Sequence, residues 1–80
     1  MDRYTARWSQ IPLEQYAALP EVAQRQVDVR VAELLEQPEG PPQAYDPPTD
    51  QWTTVYGDGA GLILYAVVQA HRRVLILRLI

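Results

Sequence analysis

The chain has 80 residues, with seven arginines and no lysine against ten acids, for a formal net charge of −3. At this length there is room for one hydrophobic core, and folding buries only ~60% of the surface that the unfolded chain exposes. No cysteine is present, which excludes disulfides and thiolate metal sites, while 48% hydrophobic and 21% charged residues make a globular rather than a disordered profile.

Residues 3–8 alternate, with Tyr4, Ala6 and Trp8 on one side and Arg3, Thr5 and Arg7 on the other, which predicts a half-buried strand. Ser9 offers a helix N-cap and Pro12 suits a first turn, so a short helix is expected to about residue 19, burying Leu13, Tyr16 and Ala17. Pro20 restarts the chain, and Glu21 sits favourably at the positive end of a second helix. From 21 to 37, Ala23, Val27, Val31, Leu34 and Leu35 follow three- and four-residue steps and form one apolar stripe. Pro38 ends it, because the residue before a proline is pushed out of the helical region.

Residues 38–50 contain five prolines and Gly40, so a stiff, extended connecting loop is expected. Three strands follow. In the first, 51–56, Trp52, Thr54 and Tyr56 lie opposite Thr53 and Val55. The turn Gly57-Asp58-Gly59 leads back into 62–68, apolar on both faces and therefore suited to a central place in the sheet. A second turn over 69–72 leads to the last strand, 74–80, where Leu75, Leu77 and Leu79 are expected toward the helices and Val74, Ile76, Arg78 and Ile80 on the open side. The order β-α-α-β-β-β, with both helices on one face of an antiparallel sheet, defines a single α+β domain over residues 1–80.

The pI of about 4.9 argues against a uniformly basic nucleic-acid binder. Charge is unevenly distributed, however. Six acids fall between residues 14 and 39, whereas none follows Asp58 and Arg72, Arg73 and Arg78 do. The C-terminal third is locally positive. The N-terminus, Met1-Asp2-Arg3-Tyr4, lacks the apolar segment of a secretory signal. The longest apolar stretch, 62–68, is far below the ~20 residues that span a bilayer. With no disulfide framework either, a cytoplasmic protein without membrane contact is expected.

The N-terminal aromatic strand, the helix pair ending in VAELLEQP, and the segments QWTTVYGDGAGLILYAVV and RRVLILRLI together resemble the RelE/ParE superfamily of toxins. Trp52, the glycine turn from Gly57 to Gly61, and Tyr65 match that frame. The resemblance covers nearly the whole chain. It implies the toxin of a toxin–antitoxin pair, of the RelE-like branch that cleaves ribosome-bound mRNA without a metal or other cofactor. Basic groups on the open sheet face would orient the phosphate while an acid–base pair activates the 2′-hydroxyl.

This sequence departs from that pattern. Thr53 and Val55 stand where the family often carries lysine or arginine, Gly61 and Leu62 where the next strand carries its arginine, and nothing matches the family's terminal His/Arg/Tyr segment. The candidate catalytic residues are accordingly Arg78, Thr53 and Tyr56, with activity weakened or lost. A competing reading of Arg78 is a solvated side chain pairing with the terminal carboxylate, and of Tyr56 and Tyr65 a core role. His71 and Asp58 fall in turns, where structural roles suffice. The expected partners are an antitoxin, and the ribosome or mRNA. The alternative is a non-catalytic module that keeps the fold and either binds an antitoxin-like segment or dimerises through an open face of Val74, Ile76, Leu62 and Leu64. Interference with a gyrase-like target, as in the ParE branch, has no positive sign in the sequence.

Overall fold

The alternation at the N-terminus forms β1 (Thr5–Trp8), and two helices follow, α1 (Gln10–Ala18) and α2 (Glu21–Glu36). Four further strands complete the chain: β2 (Ala44–Asp46), β3 (Gln51–Tyr56), β4 (Gly61–Val68) and β5 (Arg73–Leu79), with a 3₁₀ turn at Gln69–His71. The computed structural model describes residues 3–80.

The sheet runs β1-β5-β4-β3-β2. Its β2–β3, β3–β4 and β4–β5 pairs are antiparallel, as the turns require. Two features depart from the expected order. β1 lies parallel to β5, since the helix pair carries the chain over the sheet before the last strand returns beside the first. The proline loop also holds β2, three residues long and confined to the edge, the place where flanking prolines cost no ladder hydrogen bond.

Helix α2 places Val27, Val31 and Leu34 against Ile63, Tyr65, Val74 and Ile76, all 8% exposed or less. Each such side chain stabilises the fold by roughly 1.5–3 kcal/mol. Ala23 and Leu35 flank this stripe half-buried. In α1 the expected buried set is displaced. Pro12 is the buried residue, Tyr16 is half-buried, Leu13 is 50% exposed and Ala17 is exposed. Pro12 and Tyr16, four apart, share the inward side of the helix, and Leu13 falls one step off it. Ser9 takes the N-cap position without a capping bond, and its hydroxyl reaches the Ile76 carbonyl instead, at 3.5 Å.

The last strand also differs from a regular alternation. Tyr65 pairs with Ile76 but Leu64 pairs with Arg78, so Leu77 is an inserted residue forming a β-bulge. The bulge shifts the phase by one. Val74 and Ile76 are therefore core residues, Leu75 and Leu77 are half-buried, and Leu79 is buried and Arg78 exposed.

Polar contacts tie the layers together. Thr54, 3% exposed, accepts two hydrogen bonds from Arg30, from Nε at 3.0 Å and Nη2 at 2.8 Å. Tyr65, fully buried, donates its hydroxyl to the Pro38 carbonyl at 2.6 Å, pinning the end of α2 and the start of the loop to the central strand.

Candidate functional site: the open side of the sheet

Strand parity and pairing define the side away from the helices. Thr5, Arg73 and Val68 form one cross-strand row there, and Arg7, Leu75 and Ala66 the next. Beyond the bulge, Arg78, Leu64, Thr53 and Ala44 form a third row. Three arginines thus lie on this side, Arg7 on β1 and Arg73 and Arg78 on β5. Among strand residues the acid on this side is Asp46, at the opposite edge on β2. The β1–β5 half is positive although the whole chain is acidic.

The structure brings two of the three candidate residues together. Thr53 and Arg78 flank Leu64 two strands apart, a backbone separation of about 10 Å at ordinary strand spacing. An arginine side chain reaching over Leu64 and a threonine hydroxyl can address one phosphodiester from its two sides. Tyr56 is not with them. It is 4% exposed on the helix side, and its ring packs over Gly61.

This contact also explains a departure noted in the sequence. A Cβ at Gly61 would stand 2.5 Å from the Tyr56 hydroxyl and 2.5 Å from the Ile80 carbonyl, so no side chain fits there. Among the described residues the ion pairs are Arg25–Glu21 and Arg30–Glu33, and Arg78 is in neither. The expected pairing with the terminal carboxylate is not made. His71 and Asp58 are exposed in their turns.

Around these arginines the face is apolar. Leu62, Leu64, Leu75 and Leu77 are half-buried, and Val55 and Ile80 are 46% and 65% exposed. Leu75 and Leu77 line, with Arg7, a hollow of about 230 Å³ at the β1–β5 junction. Val74 and Ile76 do not belong to this face, so an open-side dimer contact through them is excluded by the bulge.

Arg30 is a residue the sequence reading passed over. Besides Thr54 it donates to Glu33 at 2.8 Å and Gln43 at 3.0 Å, joining α2, β3 and the proline loop. Its signal was its spacing, three residues after Val27 and four before Leu34, on the flank of the buried stripe. Beside it a groove of about 710 Å³ runs between α2 and the edge of β3. Three tyrosines titrate high. The Asp28 and Asp50 carboxylates, accepting hydrogen bonds at 2.8 Å and 2.7 Å, raise Tyr16 and Tyr45 respectively. Burial raises Tyr65.

A mixed sheet with a helix pair on one side and an arginine-bearing bare side on the other defines an α+β domain built to present one sheet face. No family model and no curated protein matches the sequence. Solved structures match closely in fold. A chain of the intact E. coli RelBE toxin–antitoxin complex superposes with a TM-score of 0.84 at 16% identity, covering 95% of this chain and 93% of that one. A double arginine-to-alanine variant of E. coli RelE in the free state gives 0.84 and 16%, over 96% of this chain and 81% of that one. The RelBE2 toxin–antitoxin complex of Mycobacterium tuberculosis gives 0.79 at 20%, over 96% and 95%. The fold of this chain is RelE-like.

Proposed function

We propose that this chain is the toxin-type member of a toxin–antitoxin pair and acts on RNA at the ribosome, in the cytoplasm, through the open side of its sheet. The observation that carries this reading is the placement of Arg7, Arg73 and Arg78 on the bare side of a RelE-like sheet, with Asp46 at the far edge. Arginine suits the task because its fork of donors matches phosphate oxygens.

In the proposed step the RNA 2′-oxygen attacks the adjacent phosphorus, and the bond from phosphorus to the 5′-oxygen breaks. The products are a cyclic 2′,3′-phosphate and a free 5′-hydroxyl. Arg78 stabilises the charge that develops on the phosphate oxygens, and the Thr53 hydroxyl donates a hydrogen bond to one of them. Water takes the 2′-proton and supplies the proton for the leaving oxygen, since the strand positions around Thr53 and Arg78 carry no acid–base pair. Positioned acid–base groups contribute typically 10²–10⁴-fold, so cleavage is slow by about that factor.

The test is a programmed-ribosome assay with 5′-end mapping of the message. Cuts that appear with the wild-type protein and disappear with Arg78→Ala support the reading, and an intact message under both conditions sinks it. A second reading rests on the apolar character of the same face, where Leu62, Leu64, Val55 and Ile80 surround Arg78. In that reading the face binds a protein partner and performs no chemistry. An intact message together with co-purification of the product of the adjacent gene would select it.

A further inference from the structure

The groove along α2 shares Val55 with the open side and otherwise takes no part in the reading above. Val22 and Val29 line it, seven residues and so two helical turns apart, and they are 60% and 62% exposed. Across from them stands Val55, 46% exposed, on the edge of β3. Arg25, Val29 and Glu33 succeed one another at four-residue steps along this side of the helix.

That order has a symmetry of its own. Arg25 lies four residues before Val29 and Glu33 four residues after it. A two-fold axis passing beside Val29 therefore sets a second, antiparallel α2 so that each Arg25 meets the other copy's Glu33, with valine against valine between them. A parallel alignment would set like charge on like. This self-complementarity is what an isologous interface requires, in which each residue's contact is returned by its twin.

Both charged groups are accessible, Arg25 with a side chain 66% exposed and Glu33 with one 59% exposed. Arg25 holds Glu21 only at 3.6 Å, and Glu33 uses Oε1 for Arg30, leaving Oε2 for a second guanidinium.

The backbone of β3 gives the groove a further reason to be covered. Leu62 exchanges two hydrogen bonds with Ile80, both 2.9 Å, so its neighbour Ile63 turns its amide and carbonyl the other way, toward Thr54. Val55 then turns its own pair outward, where β2 no longer runs alongside, because β2 covers only Gln51 to Thr53. An uncovered stretch of edge beside an apolar helix stripe is a surface that folds ordinarily protect.

We propose that two copies of this chain associate through this groove, their α2 helices antiparallel about Val29 and Arg25 of each copy paired with Glu33 of the other. Val29 of each copy forms the apolar centre, the two ion pairs flank it, and Val22 lies beyond them toward the N-terminal end of each helix. The association needs neither RNA nor an antitoxin, so it stands or falls separately from the proposed function.

Sedimentation of the isolated full-length protein tests it. The wild type is expected to dimerise reversibly. Val29→Asp, an exposed substitution that leaves the circular dichroism unchanged, is expected to be monomeric. Arg25→Glu and Glu33→Arg should each weaken self-association about tenfold or more, while an equimolar mixture of the two restores both ion pairs and recovers the dimer. A wild type that stays monomeric overturns the proposal. So does a dimer that survives Val29→Asp and the single charge reversals, because the contact then lies elsewhere. If the wild type alone is monomeric but Val29→Asp abolishes binding of a co-expressed protein, the groove belongs to that other partner and the self-association is again refuted.

Discussion

Tyr65 shows how one side chain sets both packing and pH response. Its ring fills the centre of the core, and its hydroxyl gives the Pro38 carbonyl its partner at 2.6 Å. Tyr65→Phe keeps the ring and strands that carbonyl, so the fold should lose about 1–3 kcal/mol in urea titration. The same burial raises the hydroxyl's pKa above its ordinary value near 10. A folded-state value above the unfolded one means that the native protein keeps a proton the unfolded chain releases. The corresponding stability is fully present below about pH 10 and is lost as pH climbs through the folded-state value. Wild-type urea midpoints should therefore fall steeply on the alkaline side, and Tyr65→Phe should flatten that fall. An unchanged alkaline slope in the variant would mean that the half-buried Tyr16, the exposed Tyr45, or a group outside these three governs it.

At the scale of elements, β4 depends on a residue that is absent in side chain. The Tyr56 ring and the Ile80 carbonyl close over Gly61 so tightly that Gly61→Ala must displace both of them. The expected cost is about 1–3 kcal/mol, read as a lower denaturation midpoint with unchanged steepness, and a neutral result would show that the ring and the carbonyl both give way freely. That crowding was not legible in the sequence, where the position read only as a missing arginine. Other elements were legible because their causes are local. The α2 stripe, Pro38 and the glycine turn produced the second helix and the β3–β4 hairpin where expected, with Gly57 and Gly59 in the left-handed region the turn needs. What failed depends on distant partners. A bulge at Leu77 is set by the pairing of β5 with β4, and it turns Val74 and Ile76 inward although strict alternation from Arg78 puts them outside. The parallel β1–β5 pair likewise joins the two ends of the chain. Of the candidate residues, Thr53 and Arg78 share a face as expected because period-two alternation holds on each side of the bulge, and Tyr56, correctly opposed to Thr53, is buried on the helix side.

The whole molecule pairs a thin core with a broad apolar sheet face, so covering that face would add directly to its stability. An 80-residue chain buries only ~60% of its unfolded surface, and here Leu62, Leu64, Leu75 and Leu77 remain half-exposed with three arginines among them. A protein that covers this face binds the native state and not the unfolded one. At a free concentration a thousand times its dissociation constant it adds about 4.1 kcal/mol. For a domain of this size each kcal/mol moves the melting temperature by about 4–8 °C, so a rise of roughly 15–30 °C is expected in thermal melts with an antitoxin-type partner in excess. Leu64→Asp, in the row between Thr53 and Arg78, should abolish that rise, because it replaces apolar contact surface with a carboxylate that faces Arg78 across the strand pair and must be desolvated under the partner. Val29→Asp, on the α2 groove, should leave it intact. If instead Val29→Asp removes the rise and Leu64→Asp does not, the partner sits on the groove and the open face is free for RNA while the partner is bound, so an antitoxin could not silence the protein by covering Arg78.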